Sequence, residues 1–117
     1  MPTIRDLVGA IRQHDGVEAA VVLGRDGLLI DGQAVPNVDA EDVAARVPSI
    51  IAAADEFGGA AGRGPLVTGV LEHARGLAVV AVLSQEAVLL VLVQQTANIG
   101  QLLFELRRNR EHIASLV

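Results

Sequence analysis

Cysteine, lysine, tryptophan and tyrosine are all absent from this sequence, and two phenylalanines are its whole aromatic complement. Without cysteine there is no disulfide, iron–sulfur cluster or thiolate zinc site, a usage that fits a reducing compartment. Without lysine a Walker-type phosphate loop cannot be built. Serine is scarce, and none of Ser49, Ser84 and Ser115 lies in a G-x-S-x-G turn, so the usual nucleophiles are almost missing. His14, His73 and His112 stand apart, without the H-x-H or H-E-x-x-H spacing that presents two ligands on one face, and no metal site is expected. Positive charge is also short: all nine basic residues are arginines, against fourteen acids, and the net charge of -5 argues against a nucleic-acid surface. The most apolar span, Leu77 to Val93, is interrupted by Ser84-Gln85-Glu86 and reads as two buried strands and a turn, not a membrane span. The opening residues MPTIRDLVGA show no basic segment leading into an apolar stretch, so no signal peptide and a cytoplasmic location are expected.

What remains is 117 residues, 51% hydrophobic, enough for one domain over 1–117 with a core of Val, Leu, Ile and Ala. Ile4, Leu7, Val8 and Ile11 follow the helical i, i+3, i+4, i+7 pattern, with Thr3 as N-cap and Asp6 at N3. Residues 17–23 are β-branched and apolar on both faces, which predicts a strand covered by helices from both sides.

The stretch VLGRDGLLIDG, residues 22–32, carries three glycines beside an apolar run. A dinucleotide loop needs G-x-G-x-x-G entering a helix, and neither this spacing nor this context fits. Asp26-Gly27 between runs ending at Leu23 and restarting at Leu28 instead signals a hairpin, because glycine supplies the positive φ of a tight turn.

Val38-Asp39-Ala40-Glu41-Asp42-Val43 then reads as a helix start, with Asp39 as N-cap and the two valines as hydrophobic staple. The helix is expected over 39–57, with Val43, Val47, Ile50, Ala54 and Phe57 facing the core and a kink or break at Pro48. After the glycine-rich connector 58–65, strands are expected at 66–73, 77–83 and 87–93. Their short turns make neighbours antiparallel. A final helix begins at Asn98 and carries the stripe Ile99, Leu102, Leu103, Leu106, Ile113 and Leu116. The predicted order is α-β-β-α-β-β-β-α: an α/β sandwich of the α+β kind, with a five-stranded antiparallel sheet and helices on both faces.

Two surplus features point outward. Arg107, Arg108 and Arg110, with Glu105 and Glu111, are read first as the solvated face of the last helix, and alternatively as phosphate-contacting or catalytic-finger arginines. The strand 66–73 is expected at a sheet edge, where Leu66, Val67, Thr68, Val70 and Leu71 form an apolar template for another strand. The helix 39–57 adds Ala44, Ala45, Ala52, Ala53 and Ile51, more small and apolar surface than one face needs unless its core stripe is wide. These features predict a two-fold dimer through strand 66–73 and helix 39–57.

The segments VEAAVVLGRDGLLIDG at 17–32, the alanine-rich helix at 39–57, GLAVVAVL at 76–83 and ANIGQLLFELRR at 97–108 resemble the roadblock/dynein light chain family. The likeness is to its bacterial MglB-like regulators of Ras-like GTPases, and it is one of layout across essentially the whole chain. The resemblance implies a single roadblock-type domain of profilin/longin-like shape. It also implies a homodimer whose sheets join at the third strand and whose second helices pair into a platform for a small Ras-like GTPase. Carried onto this chain, the GTPase-binding face comprises Ala45, Arg46, Ser49, Ala52, Ala53 and Glu56, and the dimer contact takes in Ile51 with strand 66–73. No catalytic residue, enzymatic activity or cofactor is expected. A nucleotide-independent scaffold and a small-molecule sensor with a pocket between sheet and helix are the alternatives.

Overall fold

The computed structural model describes residues 2–117. Its elements are α1 (Ile4–Arg12), β1 (Val17–Gly24), β2 (Leu29–Ala34), α2 (Ala40–Ala60), β3 (Thr68–His73), β4 (Gly76–Val82), β5 (Ala87–Val93), α3 (Ile99–Arg108) and α4 (Arg110–Ser115). The sheet is five-stranded and antiparallel, in the order β2-β1-β5-β4-β3. The chain leaves one margin at β2, crosses over through α2, and re-enters at the opposite margin as β3.

Side-chain alternation along the central strands divides the core into two layers. Val22, Leu89, Val91 and Val79 point toward α1, α3 and α4, where they meet Val8, Ile11, Leu102, Leu106 and Ile113. Val21, Leu23, Val88 and Leu90 point the other way, toward Ala44, Val47 and Ile51 of α2. Burial on both faces is why β1 and β5 are near-continuous apolar runs instead of alternating ones.

The hairpin reading of the glycine-rich stretch holds. Gly27 has φ +89, the Gly24 amide donates to the Leu28 carbonyl at 2.9 Å, and the Leu28 amide donates to Asp26 Oδ1 at 3.0 Å. Thr3 and Asp6 form the expected capping box. Asp39 Oδ1 accepts from the amides of Glu41 at 3.0 Å and Asp42 at 3.3 Å, fixing where α2 begins. Removing that acceptor with Asp39→Ala is expected to lower the unfolding free energy by about 1 kcal/mol, measurable by urea titration.

Three expectations are corrected. The helix α2 continues through Pro48 without the break allowed for there; the proline costs it one backbone hydrogen bond, and Ala44, Val47 and Ile51 bury against the sheet on both sides of it. Its buried stripe is Ala44, Val47, Ile51 and Gly58, not the one ending at Phe57, which is 72% exposed. The helix is thus rotated by about one residue, because Ala44 and Gly58 let its backbone approach closer than larger side chains would. The last helix is divided at Asn109, whose side-chain amide and backbone amide both donate to the Glu105 carbonyl, at 2.9 and 3.0 Å. That competition ends α3 at Arg108, and α4 starts at Arg110.

Candidate functional site

With Ala44, Val47, Ile51 and Gly58 turned inward, the helical period leaves Ala45, Arg46, Ser49, Ala52, Ala53 and Glu56 on the outside, and all six are exposed. Four of these are Ala or Ser, so the surface is low and flat, closed at its C-terminal end by the exposed ring of Phe57. Arg46 is paired one turn back with Asp42 at 3.1 Å. Exposed pairs of this kind contribute little to stability, so Arg46 can exchange Asp42 for a carboxylate on a partner at small cost.

At the far margin of the sheet, β3 pairs with β4 on one side only, so its outer amides and carbonyls form an open edge. Val67 and Val70 are 59% and 41% exposed, while Leu66, Thr68 and Leu71 are half-buried. The register sets Val70 beside Val79, on the side of α3 and α4, and Leu71 beside Ala78, on the side of α2. Ile51 does not belong to this surface: it is 4% exposed and packs into the core under α2, so its proposed role at a dimer contact is corrected.

The helix α2 lies chiefly over β1 and β2. On the same face, toward β3 and β4, Leu66, Leu71, Val82 and Leu92 are only half covered. Apolar surface in that state favours a further covering layer. Two residues missed in the sequence hold this region together. Asp55 Oδ1 accepts the Leu66 amide at 2.7 Å and ties the approach to β3 onto α2. Gly58 lets the connector 61–65 cross the end of α2, its carbonyl accepting the amides of Arg63 at 2.7 Å and Gly64 at 3.2 Å. The only sequence signal for either is a glycine run following an acid near the end of a helix.

Groups that could do chemistry are dispersed. His14 Nε2 lies 3.2 Å from Glu105 Oε2, joining the turn after α1 to α3, while His73 is exposed at the end of β3. Among the described residues no three His, Asp or Glu side chains converge as metal ligands. Arg107 and Arg108 are exposed on α3, whereas Arg110 turns back toward the sheet. No helix among the described residues is long and apolar enough to cross a membrane.

The Roadblock/LC7 domain model matches residues 3–93. An uncharacterized protein of Methanocaldococcus jannaschii is 30% identical over 106 residues, covering 91% of this chain and 89% of the relative. Among solved structures, Myxococcus xanthus MglB superposes with a TM-score of 0.86 at 14% identity, covering 97% of this chain and 93% of that one. A structure described as MglB with tetrameric arrangement gives 0.84 at 18% identity, over 97% of this chain and 86% of that one. At such identities the likeness is one of fold.

Proposed function

Because this chain belongs to the Roadblock/LC7 family, we propose that it works as a two-copy platform that binds and regulates a small Ras-like GTPase, with no catalytic group or cofactor of its own. One observation carries the reading: the β3 edge is open, and on the sheet face that α2 covers only in part, Leu66, Leu71, Val82 and Leu92 are left half covered. A two-fold axis beside β3 would pair the edge with its own copy, extend the sheet across the dimer, and bring the two α2 helices together over the half-covered leucines. The tetrameric arrangement of a protein of the same fold supports self-association. The outward residues Ala45, Arg46, Ser49, Ala52, Ala53 and Glu56 would then form a shallow surface for the GTPase.

Regulation follows from linkage. A platform that prefers the GTP conformation of its partner shifts that partner's population by the difference in affinity, tenfold for about 1.4 kcal/mol. It can hold the switch loops without donating a residue to the nucleotide.

The test is capture from lysate of the source organism on the immobilised protein, with a non-hydrolysable GTP analogue or with GDP, and identification of the retained proteins by mass spectrometry. Retention of a Ras-like GTPase with the analogue alone is the expected result. Equal retention with both nucleotides would make the protein a scaffold, and absence of any GTPase would remove the reading. Ala53→Arg, which raises a long charged side chain from the flat face, is expected to cut retention by about tenfold or more while leaving self-association intact.

A further inference from the structure

The arginine cluster of the last helices is divided by the break at Asn109, and its third member has a structural task. Arg110 is the first residue of α4. Its guanidinium donates through Nη1 to the Val82 carbonyl, and through Nη2 to the Thr68 hydroxyl at 2.7 Å and the Val67 carbonyl at 3.3 Å. The Val82 amide donates to the same Val67 carbonyl at 2.9 Å. Val82 closes β4 and Thr68 opens β3, so one planar fork grips both strands where β3 enters the sheet. From the opposite face, the Asp55 carboxylate holds the Leu66 amide. The start of β3 is therefore pinned from both layers.

We infer that Arg110 is a positioning residue that keeps β3 in register as a pairing edge, so that docking of α4 sets how readily two copies associate. An edge strand that frays must be reordered before it can pair, and that ordering cost is taken from the association free energy. The helix α4 has only six residues, too few to be stable by itself, and it is held by burial of Ile113 and by the Arg110 clasp. Release of α4 thus frees Val67 and Thr68 together. The effect on association rests on the two-copy reading above, whereas the clasp on β3 does not.

The test compares the full chain with Arg110→Ala and Arg110→Lys. Hydrogen–deuterium exchange over 66–73 is followed at high dilution, and self-association by sedimentation velocity over a concentration series. Loss of the clasp is expected to speed exchange of the inward-facing β3 amides about tenfold in Arg110→Ala, with β1 and β5 unchanged, on the scale of one or two lost hydrogen bonds. The dimer dissociation constant should rise by a similar factor, and Arg110→Lys, able to reach fewer acceptors, should fall between. Unchanged exchange over 66–73, or an increase spread evenly over all strands, would overturn the inference. If the native chain is monomeric at every concentration, the exchange comparison still decides the clasp, and it is the two-copy platform that fails.

Discussion

Gly58→Ala is expected to destabilise the protein by about 2–4 kcal/mol, although glycine-to-alanine changes inside a helix ordinarily stabilise by up to ~1 kcal/mol. The reversal comes from a close approach. A β-carbon on Gly58 would stand 1.9 Å from the carbonyl oxygen of Gly64, a backbone atom that cannot rotate aside. Moving the connector to make room would strain the bonds from Arg63 and Gly64 to the Gly58 carbonyl and, beyond them, the bond from Leu66 to Asp55. At Gly59, the next residue of the same helix, a β-carbon would meet nothing within 4 Å, so Gly59→Ala is expected to be neutral or stabilising. Urea unfolding of the two variants isolates the contact from the propensity. A Gly58→Ala variant as stable as Gly59→Ala would mean that the connector does not cross α2 at this point. The site matters for function because the connector delivers β3 to the edge where the second copy is proposed to bind.

Val70→Lys is expected to raise the dissociation constant of the proposed dimer by about 100-fold or more, equivalent to ~3 kcal/mol, while leaving the monomer folded. Val70 is 41% exposed in the single chain, so a lysine there can reach solvent without unpacking the core. In a two-fold pairing of β3 with its own copy the substitution enters twice, placing two ammonium groups on one short ribbon. Sedimentation over a range of concentrations reads the constant, and thermal unfolding of the dilute protein separates it from stability. Undiminished association in Val70→Lys would move the interface away from β3.

The layout is legible in the sequence because its signals are local. Asp26-Gly27 fixes the first hairpin, Arg75-Gly76 and Ser84-Gln85-Glu86 separate strands too closely for any but antiparallel pairing, and Thr3, Asp39 and Asn98 cap their helices as expected. The rotation of α2 is not legible. Val43, Ala44, Val47, Ile50, Ile51, Ala52, Ala53 and Ala54 surround the helix with apolar or small residues, so periodicity defines no single stripe. The choice between Phe57 and Gly58 as the buried position falls to a backbone contact with residue 64, which no local pattern encodes. The six outward residues of α2 nevertheless emerge from the sequence, since they follow from the inward position of Val47 whichever neighbour accompanies it. The outward expectation for Ile51 fails for the same lack of a stripe. The break at Asn109 comes from a local side-chain bond to the Glu105 carbonyl and the reach of Arg110 to β3 from a tertiary one, and neither leaves a mark on the apolar periodicity of the last helix.

The most direct test of the platform is sedimentation velocity on this protein mixed with the captured GTPase, loaded with a non-hydrolysable GTP analogue in one sample and with GDP in the other. The expected result is a complex containing two copies of this chain with the analogue, and separate sedimentation of the two proteins with GDP. A complex containing a single copy, or the same complex with either nucleotide, would contradict it.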